Sequence, residues 1–256
     1  MSSKEIRILC TSDAHCGSRW GLTHPDWITP RTRPWLWPLW AWWEATVKEI
    51  GPVDAHVHCG DAVDGQGDKD HGISELITDV EEQGGMAGAA LGIVKAKRTL
   101  MARGTPYHTA GSHNYENHVA RLLQAQIDDT VYLRAGGLCL SARHVASRSD
   151  TPYGQNTLAG KEGVRDMLQA LQDGSERADI VIRGHVHTYA WTDDGQTYAG
   201  ICPCLQLPGS VFGRTQRPWR YRVGVLELRI ADGYCQARPH IMSLKQARRR
   251  RYVEVG

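Results

Sequence analysis

The chain is predicted to be an α/β domain with a mixed second sheet. Three observations carry that expectation. Residues 5–10, 53–59, 99–103, 138–145 and 178–183 read as short buried strands. Helical stretches separate the earlier ones, which is the order of an α/β fold. The tail instead alternates, so that 197–207 and 221–230 read as antiparallel strands with Tyr234 to Ile241 as a partner.

The first strand ends at Thr11-Ser12-Asp13. A segment at 17–43 then carries Trp20, Trp27, Trp35, Trp37, Trp40, Trp42 and Trp43, with Pro25, Pro30, Pro34 and Pro38 breaking its first part into turns. The pattern is helical from Leu39 to Ile50, where Gly51-Pro52 stops it. Residues 53–59 alternate and lead into Gly60-Asp61, followed by a Gly- and Asp-rich loop at 64–72. A helix is expected over 73–97, with Gly84-Gly85 as its weak point, and a strand over Thr99–Arg103, closed by Gly104. Helices are expected over Glu116–Asp128 and Lys161–Leu171, and the strands at 138–145 and 178–183 end at His144 and Gly184.

The bulk numbers exclude several classes. A length of 256 residues suits one domain, 1–256, with 246–256 as a basic tail that holds Arg248 to Arg251. A net charge of +2 gives no strong pull toward nucleic acid or anionic membrane. No apolar run approaches the roughly 20 residues of a membrane span, and the first residues show no apolar signal stretch. The seven cysteines are odd in number and form no C-x-x-C pair, so neither a disulfide framework nor a structural zinc site is expected. A reducing, cytoplasmic setting follows.

The chemistry lies where strands end. Asp13-Ala14-His15 and Gly184-His185-Val186-His187 each place ligand-type side chains one residue apart after an apolar run, and Gly60-Asp61-Ala62-Val63-Asp64 lies between them. Ligands of open α/β sheets bind beyond the carboxyl ends of the strands, where Asp13, Asp61, Gly104, His144 and His185 all fall. Imidazole with carboxylate suits Zn, Mn, Fe or Ni. A carboxylate such as Asp61 has two oxygens and can bridge two ions, while the paired histidines can divide between them. Two metals about 3.5–4 Å apart clamp a phosphate and make hydroxide available at neutral pH, and a nearby histidine can protonate the leaving oxygen.

This pattern resembles the calcineurin-like metallophosphoesterase superfamily. There D-x-H, G-D-x-x-D, G-N-H-[DE], an isolated His and G-H-x-H follow successive strands. Asp13-x-His15, Gly60-Asp61-x-x-Asp64 and Gly184-His185-x-His187 match, and His144 fits the isolated His. The resemblance covers residue 6 to about 190 and implies two mixed sheets packed together with helices outside. It implies that Asp13, His15 and His187 bind one metal, that Asp61 bridges, that His144 and His185 bind the second, and that Asp64 orients a ligand.

The third motif departs from the pattern, since no G-N-H occurs. One solution puts Thr105 in the Asn slot, as a hydroxyl ligand that holds the second metal more loosely, with His108 as the acid; the other puts Ser112 in that slot with His113 as the acid. The first directly follows the strand Thr99–Arg103, and its R-G-T-P-Y-H stretch looks like a phage-type and bacterial variant of the superfamily, as does a Trp-rich segment after the first motif. The expectation is therefore a phosphodiesterase with two divalent ions, Mn²⁺ first and Zn²⁺, Fe or Ni²⁺ next. Its substrate is a phosphoester, a nucleotide or nucleic acid among the candidates, with no membrane partner. A phosphomonoesterase and a binding scaffold without turnover are the alternatives.

Other residues have plainer readings. His56 and His58 imitate the last motif but lie inside a strand and point to one face, so hydrogen-bonded interior or helix-covered histidines are expected. His71, His118 and His240 read as surface or satisfied positions. Trp40 and Trp43 read as core, Trp20 and Trp27 read either as core or as a cleft wall or cap, and His24 between them is a position that could line the cleft. Arg214, Arg217, Arg220 and Arg222, beside Trp219 and Tyr221, favour a polyanionic substrate.

Overall fold

The computed structural model describes residues 4–66, 74–109, 115–147, 154–209 and 221–244. Eleven strands form two mixed sheets among these residues. The first has the order β11-β10-β1-β2-β3-β4, from β1 (Ile6–Thr11), β2 (Val53–His58), β3 (Ala96–Ala102), β4 (Gln126–Asp128), β10 (Gly224–Ala231) and β11 (Tyr234–Ile241). The second has the order β5-β6-β7-β9-β8, from β5 (Thr130–Ala135), β6 (Leu138–Arg143), β7 (Ile180–Arg183), β8 (Ala190–Asp193) and β9 (Tyr198–Ile201). Strands β1 to β4 are mutually parallel, as are β6, β7 and β9, so both sheets present carboxyl ends.

Period-two alternation sorts the side chains into layers. Ile8 and Cys10 of β1, Ala55 and Val57 of β2, and Ile180 and Ile182 of β7 meet in the core between the sheets. Leu9 faces the other way, into a core made with α1 (Arg33–Ile50), α2 (Val80–Leu91) and α4 (Glu116–Leu122). Val181 packs outward on Leu158 and Ala159 of α5 (Gly154–Asp173). A one-turn helix, α3 (Pro106–Thr109), follows β3. The result is helix, sheet, sheet, helix, as the resemblance implied.

Several boundaries correct the sequence reading. Helix α1 begins at Arg33, not Leu39, because Pro34 falls in its first turn where a missing N–H costs little. Pro38 removes one further donor, and the buried face Leu36, Leu39, Trp40, Trp43, Val47 and Ile50 outweighs that loss. The helix expected over 73–97 runs only from Val80 to Leu91, since Asp79 accepts from the N–H groups of Glu81 and Glu82 and fixes its start. Strand β3 accordingly begins at Ala96.

The helix expected to reach Asp128 stops at Leu122. Gln124 turns left-handed (φ 51°), and Ala125 N–H returns to the Ala120 carbonyl while Gln124 N–H returns to Arg121. Two hairpin strands escaped the sequence reading, β5 and β8. In the tail, β9 lies parallel to β7 in the second sheet, while β10 and β11 extend the first as an antiparallel pair, so 197–207 and 221–230 meet through a parallel bridge at Cys204 and Val223 rather than as antiparallel strands.

Candidate metal centre

The loops after β1, β2 and β7 share an unusual backbone. Asp13 (φ 52°), His15 (φ 44°), Asp61 (φ 54°), His185 (φ 73°) and His187 (φ 49°) are all left-handed, against only two other non-glycine residues among those described. Such conformations are uncommon outside glycine and cost free energy, so the surrounding bonds must hold them. They do: Asp13 N–H donates to the Gly60 carbonyl (2.9 Å), His15 N–H to Asp61 (3.0 Å), Cys16 N–H to Ala62 (3.0 Å) and Asp64 N–H back to Cys16 (3.0 Å). Gly184 N–H donates to the His144 carbonyl at 3.0 Å and His185 N–H to Asp13 Oδ2 at 3.0 Å.

Close approach explains the glycines of the motifs. A Cβ on Gly104 would lie 2.1 Å from Asp61 Oδ1, one on Gly60 2.8 Å from the His144 ring, and one on Gly184 2.1 Å from Ser12 Oγ.

Two sets of donors converge. Asp13, His15 and His187 form one, with His187 Nε2 3.1 Å and His15 Nε2 3.9 Å from Asp13 Oδ1. Asp61, His144 and His185 form the other, with His144 Nε2 3.0 Å from Asp61 Oδ2 and 3.3 Å from His185 Nδ1. His15, Asp64 and His108 also lie close together, but there His15 turns its Nδ1 to Asp64 Oδ1 at 3.0 Å. That leaves His15 Nε2 buried without a hydrogen-bond partner, directed at the first set.

The hydrogen bonds also assign protons. His144 Nδ1 lies 2.6 Å from the Cys59 carbonyl and must carry a hydrogen, so its Nε2 is the free ligand atom. His108 Nδ1 donates to the Asp64 carbonyl (2.5 Å), leaving Nε2 3.8 Å from Asp61 Oδ2.

Burial alone would raise the pKa of Asp13, yet the charge and hydrogen bond of His187, helped by His144, hold it well below the usual range. Asp61 is likewise held low against burial by His144, His108 and His15. Burial favours neutral imidazole, but Asp61 and then Asp13 raise His144 to about 9, and Cys204 and Asp13 raise His187 to about 10. Burial dominates at His15 and His185, which are pushed down. Two buried carboxylates thus draw protons onto two histidines. A divalent ion would satisfy the same carboxylates and free both imidazoles to bind it, and the orphaned His15 Nε2 faces that position. The donor set fits a metal pair.

Three supports were invisible in the sequence. Glu116 is fully buried on α4, and burial, followed by the charge of Asp61, pushes its carboxyl up to about 7. Gln83 of α2 clasps Gly65, accepting from its N–H (2.9 Å) and donating to its carbonyl (2.8 Å), next to Asp64. Tyr221 places its hydroxyl 3.0 Å from His187 Nδ1 and so orients that ring. A helix that opens with glutamate is commonplace, and nothing local marked it as reaching two loops.

The structure gathers Asp13, His15, Asp61, Asp64, His108, His144, His185 and His187 into one site. Thr105 joins them in a different posture from that expected. Its N–H donates to Asp61 Oδ1 (2.8 Å), and its hydroxyl lies 3.3 Å from the same oxygen. Ser112 and His113, Arg214, Arg217, Trp219 and Arg220, His71 and the tail 246–256 lie outside the described residues.

His56 and His58 stay off the site, sharing Thr11 Oγ1 at 2.9 Å each. Trp40 and Trp43 are core. Trp27 is no cleft wall: its ring packs on the helical core and its Nε1 donates to Glu82 (2.9 Å). Trp20, by contrast, meets Gly209 near the first loop. His24 stacks edge-on with Trp27 and Trp40, His118 packs on Gly84, and His240 pairs with Glu227. Among the described residues no helix is long and apolar enough to cross a membrane.

No protein-family model matches the chain, and no curated protein does. Solved structures do resemble it. A Vps29 single mutant from Entamoeba histolytica is 12% identical, with 93% of this chain and 100% of that one covered at a TM-score of 0.43. A predicted phosphoesterase from Streptococcus pneumoniae is 11% identical, with coverage of 93% and 99% and a TM-score of 0.42. A protein described as a novel archaeal phosphodiesterase is 14% identical, with coverage of 93% and 100% and a TM-score of 0.45. In its two-sheet architecture, the order of its motifs and the convergence of their side chains, the chain resembles the calcineurin-like metallophosphoesterases.

Proposed function

We propose that this chain is a metal-dependent phosphoesterase acting on a phosphodiester, with nucleotides or nucleic acid as the substrate class. The observation that carries this reading is the convergence of six N and O donors from three separate loops and the end of β6, with one buried ring nitrogen left unpartnered. Asp13, His15 and His187 would hold one ion, His144 and His185 a second, and Asp61 would be shared. Mn²⁺ is the first choice, and Zn²⁺, Fe or Ni²⁺ suit the same donors. Such a pair supplies Lewis acidity toward phosphoryl oxygens and acidifies water.

The chain's own residues do the rest. Ser12 Oγ and His185 N–H fix Asp13, and Asp64 fixes His15 through its carboxylate and His108 through its carbonyl. With Nδ1 so occupied, His108 presents Nε2 on a ring that is only partly buried, which suits proton delivery to a leaving oxygen. Thr105 steadies Asp61 by its N–H. Seven free, buried thiols support a reducing, cytoplasmic setting. Trp20 beside the first loop supports a base-bearing substrate.

The test is hydrolysis of bis(p-nitrophenyl) phosphate and p-nitrophenyl phosphate by chelator-stripped protein, with and without Mn²⁺. Metal-dependent turnover of the diester is expected. Turnover of the monoester alone would make the chain a phosphatase, and silence on both with metal bound would make it a scaffold.

A further inference from the structure

We infer that Glu116 is a positioning residue that sets the spacing between Asp61 and the segment bearing Thr105 and His108; this rests on the phosphoesterase reading above. Glu116 belongs to none of the motifs and sits on α4, with no exposed surface. Its Oε1 accepts from Ala62 N–H at 2.9 Å, and its Oε2 accepts from Gly104 N–H at 2.6 Å. Ala62 directly follows Asp61, and Gly104 directly precedes Thr105. Thr105 N–H then donates to Asp61 Oδ1 at 2.8 Å.

The four loop residues and the carboxylate therefore close a ring, and Asp61 is part of it. The ring has no slack on one side, because Gly104 already lies against Asp61 Oδ1. Bonds from buried N–H groups to a carboxylate are strong and directional, and losing one acceptor strands a buried donor. Helix α4 is itself seated on α2, where Gly84 and Gly88 admit His118 and Leu122 at close range. The carboxylate thus refers two loops of the site to the rigid helical layer.

The replacement Glu116→Gln keeps the shape but turns an NH₂ toward one of the two N–H donors. Loss of about 1 Å in alignment is worth on the order of a hundredfold in rate. The protein is loaded with Mn²⁺, its metal content is counted, and its electron paramagnetic resonance spectrum is recorded beside the kinetics of bis(p-nitrophenyl) phosphate hydrolysis. Wild type is expected to show two exchange-coupled Mn²⁺ ions. Glu116→Gln is expected to lose the coupled signal in favour of isolated-ion lines, with kcat down about ten- to a hundredfold and KM within about threefold. Glu116→Asp, which keeps both acceptors on a shorter stem, is expected to recover part of the rate.

A Glu116→Gln protein with the wild-type signal and kcat would overturn the role of Glu116 and leave the phosphoesterase reading intact. A wild type without a coupled signal or metal-dependent turnover would overturn both. Should Glu116→Gln not fold, Glu116→Asp carries the comparison, and a wild-type signal with wild-type kcat there would overturn the inference.

Discussion

Asp61 is held from three sides: by His144 at 3.0 Å, Thr105 N–H at 2.8 Å and His108 at 3.8 Å. Asp61→Asn removes the shared charge, so metal content should fall below two per chain and diester hydrolysis by about a thousandfold, measured by metal analysis and kcat. His108 and His113 are separable by substitution. His108→Ala should lose about 10²- to 10⁴-fold in rate with both metals still bound, and His113→Ala should not; the reverse would assign the acid to His113.

His56 and His58 supply a pH test. Burial holds their folded pKa values at about 3 and about 4, whereas the unfolded chain takes up these protons near 6.5. At these two residues the unfolded state therefore binds more protons below that pH, and their contribution to stability is complete above 6.5 and falls as pH drops toward 4. Each residue should contribute about 1.4 kcal/mol per pH unit in that window. Urea unfolding of metal-free wild type and His56→Gln between pH 7 and 5 should show the smaller slope in the variant, while metal stoichiometry stays unchanged.

At the scale of elements, the site is a set of strand-to-loop junctions held by left-handed turns and missing side chains. Gly60 combines φ 85° with a His144 ring where its Cβ would be. Gly60→Ala should cost about 1–3 kcal/mol in thermal or urea unfolding and weaken metal retention; an unaltered protein would show that the junction tolerates movement. The junctions were legible because apolar runs end at them and because Asp and His recur there at two-residue spacing. Element ends were less legible. Helix α4 stops on a left-handed Gln124, a cap that glycine usually signals. Strand β5 went unread although Gly136 and Gly137, both with positive φ, close a two-residue hairpin to β6. Pairing of β9 with β7 depends on which sheet faces a strand, and alternation does not encode that.

For the whole molecule, two mixed sheets inside helical layers were expected, and the described residues form them. Long-range supports were not readable: Glu116 reaches Ala62 across 54 positions and Tyr221 reaches His187 across 34, and no local pattern announces either. The same holds for His56 and His58, whose position on the helix-covered face follows from alternation, but whose shared Thr11 does not. Distant segments assembled into one dinuclear centre should bind two ions per chain, which metal titration measures. Chelator-stripped protein is titrated with Mn²⁺ while bis(p-nitrophenyl) phosphate hydrolysis is followed. The rate is expected to plateau at two equivalents per chain. A plateau at one equivalent, or full turnover without metal, would contradict a dinuclear centre.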